Sequence, residues 1–539
     1  MSKLINTPLS SFIVFLFSYY ICCSRQDAMA ADGEITKKGI REWCSTTPHP
    51  DTCNYFVTHD PDPISSQEDF RTRTIQAAMD RAVDAQSRAV KLGFHGSQIV
   101  DRDCSSLVDD TIAQLNTTLH SIRTNASYEV SDFQTWLSAA MTNVEICNRL
   151  GFDYSPKFGN FKSPVLLENV SELIRNSLAA NGALLGNDSD DKHVTRHGFP
   201  KWMTSRDRRL VQNAAAIKSQ ANAVVSLDGS GQFTSIQAAI DYAVSERVGS
   251  GRVVVYVKTG VYTENVLINR TMSNVTLVGD GIRRTVISGN RSSSGGFTTH
   301  SSATVGIDAA GFMARGITFR NTAGAAGGQA AALRSASDLS VFYACAFEGY
   351  QDTLFVQAQR QFFKHCVVYG TVDFIFGNAA VVFQNCVIYV RRPLLGQANT
   401  IVAQGRGDPF QNTGVSIQYC RIHAAPDLEP VVGSVRTYLG RPWQEYSRTV
   451  VMQSYLDDLV APEGWSRWGD SDFALTTLYY GEYENFGPGA STAGRVNWTG
   501  YHVLTNPKEV AGFTVSGLIS GGAWLPRTGV PFTAGLLRL

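Results

Sequence analysis

The chain has 539 residues, no net charge (47 Lys+Arg against 47 Asp+Glu), 43% hydrophobic residues and 17% charged ones. This length predicts at least two domains, and the composition is typical of folded protein, so wholesale disorder is excluded. The 47 glycines have no three-residue period, which excludes collagen, and the absence of a basic stripe argues against nucleic-acid binding.

The N-terminal segment has the features of a secretory signal peptide. Lys3 precedes an apolar run over 11–23, and Ala28-Met29-Ala30 has the spacing of small residues that a signal peptidase needs. The run is shorter than the roughly 20 residues that span a bilayer. We therefore predict a signal over 1–30 and a soluble, secreted mature chain, with an uncleaved signal anchor as the alternative.

Cysteine usage agrees with an oxidising destination. Two of the ten cysteines lie in the predicted signal, and the other eight form an even set without the C-x-x-C spacing of a zinc site. These eight are Cys44, Cys53, Cys104, Cys147, Cys345, Cys366, Cys386 and Cys420. Sequons such as those at Asn116, Asn125, Asn269 and Asn274 are either glycan acceptors or unused surface asparagines.

Residues 41–180 have helical periodicity. Apolar residues recur at three- and four-residue steps in four segments, at 75–90, 107–122, 133–150 and 165–178. Four amphipathic helices of this length predict an antiparallel bundle. Cys44 and Cys53 bracket a short hairpin, and Cys104 and Cys147 are candidates to join two helices. Nothing in this half has catalytic spacing.

A polar linker over 181–212 follows the predicted bundle. It is rich in Gly, Asp and Ser, and it contains Arg208-Arg209-Leu210. A dibasic site in an exposed linker is a natural point of proteolysis, so we predict processing here. A chance pair of surface arginines is the alternative.

Residues 213–539 consist of short β-rich runs such as VVVYV at 253–257. Cys345, Cys366 and Cys386 are 21 and 20 residues apart and begin similar segments. A period of about 20 residues predicts a β-solenoid, in which each coil stacks on the previous one. A multi-sheet sandwich is the alternative.

The stacking also bears on the cysteines of this half. Neighbouring strands lie about 4.8 Å apart, within the range of Cα separations that a disulfide accepts. Cys366–Cys386 is the preferred bridge. Cys386–Cys420, or two bridges that also use Cys345, stay open.

Two aspartates lie in strand-end turns one coil apart. Asp352 is part of GYQDTL and Asp373 of GTVDFIFG, and their separation is 373 − 352 = 21 residues. Residues one coil apart stack side by side, so we expect these carboxylates to face each other. Because two adjacent carboxylates do not both ionise easily, the pair divides into an acid/base and an anionic nucleophile. Two turn-capping aspartates are the structural alternative.

Amide, guanidinium and indole groups accompany this pair. Gln351 and Gln329 have N–H donors suited to stabilising an oxyanion. Arg441 can hold an aspartate ionised, and Trp443, two residues later, offers a flat face for a sugar ring. Each of these residues taken alone is more often structural.

These motifs resemble those of the plant pectin methylesterases that carry an N-terminal inhibitor-like pro-region, and the resemblance covers essentially everything after the signal. The matching segments are GVYTE at 260–264, GQAAAL at 328–333, the two aspartate turns at 349–354 and 370–377, and LGRPW at 439–443. The N-terminal half resembles the invertase/pectin methylesterase inhibitor bundle at Cys44, Cys53, Cys104, and at SAAMTN over 138–143 before Cys147.

The resemblance implies a mostly β fold, with a right-handed parallel β-helix catalytic domain over 213–539 preceded by an all-α four-helix bundle over 41–180. It implies hydrolysis of galacturonate methyl esters of pectin to carboxylate and methanol. Asp373 would be the nucleophile, and Asp352 would protonate departing methanol and then act as a base.

The resemblance assigns further roles. Gln351, with Gln329, would stabilise the tetrahedral intermediate, Arg441 would keep Asp373 ionised, and Thr299 and Trp443 would contact substrate. Two departures leave questions open. His300 stands where Phe is common, which affects the substrate subsite and leaves Thr298 as the alternative to Thr299. Residues 144–146 replace the usual Gln-Asp-Thr run before Cys147, which affects the strength of inhibition.

The resemblance implies no metal or organic cofactor and a monomer in the extracellular cell wall. The expected partners are methylesterified homogalacturonan, a proteinaceous pectinesterase inhibitor and a processing protease, with neither nucleic acid nor, once mature, a membrane among them. A non-catalytic pectin-binding or inhibitor protein is the alternative function. A pectate lyase or polygalacturonase on the same scaffold is less favoured, because the calcium-binding or paired acids these enzymes need are not evident.

Overall fold

The structure is a computed structural model that describes residues 39–57, 64–91, 99–158, 164–185 and 218–537. The predicted signal peptide and the processing site Arg208-Arg209-Leu210 lie outside the described residues, as does most of the predicted linker. None of the described helices combines the length and the apolar character needed to cross a membrane.

The N-terminal part is a bundle of long amphipathic helices. The helices are α1 (Pro50–Val57), α2 (Gln67–Lys91), α3 (Ile99–Arg123), α4 (Val130–Phe158) and α5 (Pro164–Leu185). The apolar stripes of α2–α5 meet in one buried core, to which Ile75, Leu115 and Leu173 contribute, and α1 packs in a second, smaller cluster. Disulfides join Cys44 to Cys53 and, between α3 and α4, Cys104 to Cys147. The four segments of helical periodicity therefore correspond to α2–α5.

The C-terminal part consists of short strands with few helices. The strands are β1 (Ala223–Val225), β2 (Val253–Val257), β3 (Gly260–Thr263), β4 (Val266–Ile268), β5 (Val275–Val278), β6 (Thr285–Gly289), β7 (Val305–Ile307), β8 (Met313–Arg315), β9 (Thr318–Asn321), β10 (Leu333–Ser335), β11 (Ser340–Tyr343), β12 (Ala346–Glu348), β13 (Leu354–Val356), β14 (Arg360–Lys364), β15 (Val367–Gly370), β16 (Ile375–Gly377), β17 (Ala380–Gln384), β18 (Val387–Val390), β19 (Asn399–Gln404), β20 (Gly414–Gln418), β21 (Arg421–Ala424), β22 (Thr437–Pro442), β23 (Arg448–Met452), β24 (Tyr455–Leu456), β25 (Tyr479–Tyr483) and β26 (Tyr501–Leu504). The helices are α6 (Ile236–Ser245), α7 (Pro507–Ala511), α8 (Val515–Ile519) and α9 (Gly521–Trp524).

These strands form three parallel sheets wound into a β-helix. The first sheet runs β1-β2-β5-β8-β11-β14-β17-β20-β23-β25-β26, the second β3-β6-β9-β12-β15-β18-β21-β24, and the third β4-β7-β10-β13-β16-β19-β22. Each strand therefore pairs with the strand one coil earlier and one coil later. The predicted parallel β-helix is confirmed, and the sandwich alternative is excluded by this topology.

The repeat that the cysteines indicate is the register of the coils. Cys345, Cys366, Cys386 and Cys420 each precede a strand of the second sheet, and those strands align in register. The residue before each cysteine has positive φ, between 50° and 55°, which turns the chain from the first sheet into the second. Inside, the rings of Phe342, Phe363 and Phe383 stack at centroid distances of 4.5 and 4.6 Å.

The preferred Cys366–Cys386 bridge is wrong, because all four cysteines of the β-helix are free, buried thiols. Their side chains are buried in the core of the β-helix. Each thiol after the first donates to a backbone carbonyl of the preceding coil: Cys366 to Phe342 at 3.3 Å, and Cys386 to Phe363 at 3.5 Å. The close spacing of the coils would permit a disulfide between Cys366 and Cys386, but it does not by itself produce one.

We predict that alkylation of the unfolded, unreduced chain modifies the four β-helix cysteines and leaves both bundle disulfides intact. Peptide mass spectrometry of the digest measures this directly. The same digest after reduction is the control, in which the bundle cysteines are modified as well. A disulfide-linked peptide pair containing Cys366 and Cys386 would contradict the prediction.

Candidate active site

A cleft of about 520 Å³ lies on the outer face of the third sheet. Its floor is one row of residues that occupy the same register position on successive coils, namely Phe355, Phe376, Ala403 and Arg441. The rings of Phe355 and Phe376 stack at 4.3 Å. The floor of the cleft is therefore built by the same stacking that builds the core, on the opposite side of the strands.

The two aspartates enter the cleft from turns between the second and third sheets. Asp352 precedes β13 and Asp373 precedes β16, each two residues before a register pair of those strands. The backbone N–H of Asp352 donates to Val372 O at 3.1 Å, which fixes one turn on the other. Both aspartates have positive φ, 59° and 51°, an uncommon conformation for residues with a side chain. The predicted side-by-side arrangement is thus a consequence of the register.

Asp373 is held by a bidentate ion pair. Nε and Nη2 of Arg441 donate to its two carboxylate oxygens at 2.8 and 2.6 Å. The hydroxyl of Thr400 donates to Oδ1 at 2.6 Å. Charge-assisted donors of this kind favour the ionised form of a carboxylate, and their geometry fixes its orientation.

Asp352 is in the opposite situation. Burial raises the pKa of its carboxyl well above the ordinary range, and the negative charge of Asp373 adds to this rise, while Arg441 acts against it. The Asp352 side chain therefore keeps its proton at a pH at which an exposed aspartate is ionised. The two carboxyls differ in protonation although they occupy equivalent positions on neighbouring coils.

The other predicted site residues line the same cleft. Thr299, Gln329, Gln351 and Trp443 are all in its wall, as is His300. The ring of Trp443 meets that of Phe376 edge-on at 5.9 Å. The structure therefore brings together every residue that was expected to contact substrate or to stabilise an intermediate.

Among the residues of this site that sequence reasoning missed, two contact the Asp373–Arg441 pair directly. Thr400, which orients Asp373, comes from the following coil, and Trp468, whose ring lies 4.5 Å from the guanidinium carbon of Arg441, comes from a distant loop. Neither belongs to a segment with a recognisable pattern. Of the three apolar residues that follow Asp373, Phe376 lines the cleft, whereas Phe374 and Ile375 are part of the core.

The helical bundle covers the cleft. Ile146, Arg149 and Leu150 of α4 are part of its wall. Arg149 donates to the backbone oxygen of Trp443 at 3.3 Å, and its guanidinium carbon lies 5.1 Å from the centroid of that indole. Apolar residues of the bundle and the Phe355–Phe376 pair share one buried cluster. Access to the two aspartates is thus restricted by the chain's own N-terminal half.

Polar contacts extend this interface along α4. Thr142 accepts a hydrogen bond from the Asn378 amide at 2.9 Å, and Asn143 accepts one from Gln357 at 3.1 Å. At the N-terminal end of the helix, Asp132 pairs with Arg360 at 2.6 Å. Among the described residues, no group of three or more His, Cys, Asp or Glu side chains is arranged to hold a metal ion.

Comparison with known proteins identifies the two halves separately. The sequence profile described as "Pectinesterase" matches residues 222–522, and that described as "Plant invertase/pectin methylesterase inhibitor" matches 38–180. "Probable pectinesterase/pectinesterase inhibitor 59" of Arabidopsis thaliana is 50% identical over 541 residues, which cover 98% of this chain and 99% of the relative. "Pectinesterase 2" of Citrus sinensis is 48% identical over 503 residues, covering 92% of this chain and 95% of the relative.

Solved structures of pectin methylesterases resemble the β-helix. "Pectin methylesterase from Carrot" is 53% identical with a TM-score of 0.57, and the match covers 59% of this chain and 98% of that chain. That protein thus corresponds to the C-terminal part of this chain.

We predict that Arg441→Gln lowers ester hydrolysis at least about 100-fold, because it removes both charge-assisted bonds to Asp373 and leaves a buried carboxylate unpaired. The rate of methanol release from methylated pectin is the measurement. Arg436→Gln is the matched control, since that arginine pairs with Glu463 at the surface. Equal rates for the two variants would contradict the prediction.

Proposed function

The chain belongs to the pectinesterase family, whose members are carboxylic ester hydrolases, and from this we propose that it hydrolyses galacturonate methyl esters with Asp373 as the nucleophile. The observation that carries the proposal is the unequal pair of carboxyls. Arg441 holds Asp373 as an oriented anion, while burial and the charge of Asp373 keep Asp352 protonated. Both groups line one cleft.

In the first half-reaction, a carboxylate oxygen of Asp373 attacks the ester carbonyl carbon. The carbonyl oxygen becomes an oxyanion, which accepts hydrogen bonds from the side-chain amides of Gln351 and Gln329. The bond to the methoxy oxygen then breaks, and Asp352 gives its proton to that oxygen, so methanol leaves. An acyl-enzyme remains on Asp373, and Asp352 is now ionised.

In the second half-reaction, the same pair works with exchanged charges. Acylation removes the negative charge of Asp373, which is one cause of the raised pKa of Asp352. Asp352 is therefore suited to act as a base at this stage. It takes a proton from water, the hydroxide oxygen attacks the acyl carbon, and Asp373 leaves as a carboxylate. The products are a galacturonate carboxyl group and methanol.

Aromatic and hydroxyl groups of the cleft suit a polysaccharide. The indole of Trp443 and the stacked Phe355–Phe376 pair offer flat apolar surfaces to sugar rings, and the hydroxyl of Thr299 is a hydrogen-bonding group in the wall of the same cleft. We propose methylesterified homogalacturonan as the substrate. A non-catalytic pectin-binding protein would not require an oriented anion beside a protonated acid.

The bundle is proposed to act as an inhibitory pro-region in cis. Its α4 lies over the two aspartates, so a polymer cannot occupy the cleft while the bundle is docked. We propose domain bounds of 41–180 for the bundle, 181–212 for the linker and 213–539 for the enzyme. Cleavage by a protease at Arg208-Arg209-Leu210 would then allow the bundle to dissociate from the β-helix.

The compartment of action follows from the substrate. Pectin is a polymer of the plant cell wall, so we propose that the predicted signal over 1–30 directs secretion to that location. A separate proteinaceous inhibitor that resembles the bundle would bind the same face of the β-helix after processing. The Thr400–Asp373 contact and the aromatic floor would then be covered in trans as they are covered here in cis.

We predict that Asp373→Asn lowers methanol release by about 10⁴-fold or more, because it removes the nucleophile and leaves binding intact. Asp458→Asn, an exposed substitution of the same chemistry, is the control and should change the rate less than twofold. The measurement is made after cleavage in the linker. Residual activity above a tenth of the unsubstituted rate would assign nucleophilic attack to another group.

We predict that docking of the bundle weakens as pH rises, in part through Glu145. Burial raises the pKa of its carboxyl from 4.5 to about 7; Arg175 and Arg149 oppose the rise, and Asp408 adds to it. The docked state therefore binds this proton more tightly than the released bundle does. Docking is tightest below about pH 4.5, and this proton weakens it by up to about tenfold per pH unit until about pH 7.

The measurement is the dissociation constant of the bundle after cleavage in the linker, determined between pH 4 and 8. Glu145→Gln keeps the neutral form at every pH, so the slope of log Kd against pH should fall by one proton between about 4.5 and 7. Glu172→Gln, on the neighbouring helix α5, is the matched control. An unchanged slope in Glu145→Gln would show that another group carries the linkage.

A further inference from the structure

A row of aromatic side chains runs along the second sheet, away from the cleft. The row, which we call the aromatic ladder, consists of Tyr369, Tyr389, His423, Tyr455 and Phe486. Centroids of neighbouring rings in this order lie 4.9, 6.1, 5.3 and 5.7 Å apart. None of the five residues lines the cavity that holds the two aspartates. The ladder is therefore a separate surface of the β-helix.

The register of the coils places the ladder on the outer face of the sheet. Tyr369, Tyr389 and His423 occupy one register position on β15, β18 and β21. Val368 and Ile388, each of which precedes a ladder tyrosine, belong to the core. Because side chains alternate between the two faces of a strand, the tyrosines face outward. The last two rings come from the next two coils, so the ladder spans four strand steps, about 19 Å.

The ladder stays accessible while the bundle is docked. Its first four rings are half-buried, and Phe486 is 45% exposed. Helices lie on the other two sheets, since α8 packs on β17 of the first and α4 covers the cleft on the third. Within the described ranges, the hydroxyls of Tyr369 and Tyr389 have no hydrogen-bond partner in the protein. The ladder thus combines flat apolar faces with hydroxyl groups that are available to a ligand.

An arginine without an acidic partner borders the ladder. The guanidinium carbon of Arg421 lies 5.1 Å from the centroid of Tyr455 on the neighbouring strand, and the residue is exposed. In the part of the chain that the structure describes, it forms no ion pair, whereas His423 on the same strand pairs with Asp457 at 2.8 Å. Arginine binds carboxylates through directed, charge-assisted hydrogen bonds. This end of the ladder is therefore suited to an anionic group.

We propose that the aromatic ladder is a second binding surface for pectin, on which sugar rings stack and Arg421 pairs with a galacturonate carboxylate. The choice of ligand rests on the proposed function. A linear polymer of repeated rings matches a surface that presents one ring on each coil. A single row of rings is narrower than the contact area of a stable protein–protein interface. Because α4 covers only the cleft, the uncleaved chain can be held on pectin before its active site is released.

The test uses the uncleaved full chain, in which the cleft is covered, so that binding at the ladder is measured apart from turnover. Affinity electrophoresis in gels that contain fully methylated pectin or polygalacturonate gives a dissociation constant for each polymer. We expect Tyr389→Ala to raise both constants about tenfold, because it removes an internal ring of the ladder. Tyr242→Ala is the matched control, an exposed tyrosine of α6 that also contacts another ring, and it should change both constants less than twofold.

Arg421→Gln is the second variant, and it separates binding from folding because the side chain is exposed. We expect it to raise the dissociation constant for polygalacturonate about fivefold at low salt, and less at high salt, where the ion pair is screened. Its dissociation constant for fully methylated pectin should stay within twofold, because that polymer has no carboxylate to pair with. A folding defect in Tyr389→Ala therefore leaves the proposal open to refutation.

Failure of either polymer to retain the uncleaved chain would overturn the second surface. The same conclusion would follow if Tyr389→Ala and Arg421→Gln bound both polymers as tightly as the unsubstituted chain does. A lower thermal midpoint of Tyr389→Ala with unchanged dissociation constants would show that the ladder is a structural stack, and would overturn the proposal as well. Absence of methanol release by the cleaved, unsubstituted chain would instead refute the proposed function, so the two failures are distinguishable.

Discussion

Exact register between coils is the constraint on which this molecule depends. Each strand pairs with its equivalent one coil away, so a residue type that suits one coil is placed beside its counterpart on the next. Inside, this alignment stacks Phe342, Phe363 and Phe383 into a continuous column. Outside, the same alignment forces two aspartates together, an arrangement that is unfavourable unless the pair carries one proton or a cation lies nearby.

The fold meets this electrostatic cost with one arginine. Arg441 lies on β22, which is three strands away from β13 in the third sheet, and Asp352 lies just before β13. The guanidinium of Arg441 donates two charge-assisted hydrogen bonds to Asp373. Burial acts to lower the pKa of the guanidinium, but the hydrogen bonds and charge of Asp373 hold it above its ordinary value. The cation is therefore assigned to one carboxylate, and the other must remain protonated. The stacking of the coils thus explains both why Asp352 and Asp373 occupy equivalent positions and why only one of them keeps its proton.

Sequence could predict whatever depends on the repeat alone. The spacing of Cys345, Cys366 and Cys386 gave the coil length, and this length was sufficient to pair Asp352 with Asp373. The direction in which a side chain points cannot be predicted from the repeat. For this reason Cys366 and Cys386 were expected to form a bridge, although both are free thiols. Thr400 and Trp468 come from segments whose approach to the cleft depends on loop paths. The position of the bundle depends on shape complementarity between two domains, for which periodicity carries no information.

The interface between bundle and β-helix buries acids that are ordinarily exposed. Burial raises the pKa of Asp103, and it raises that of Asp110 to about 6, against the charges of Arg334 on the opposing surface. Each such carboxyl lowers the stability of the docked state once it ionises, so apolar contacts with the Phe355–Phe376 pair must supply the balance. A contact assembled in this way holds the cleft closed most firmly in acid.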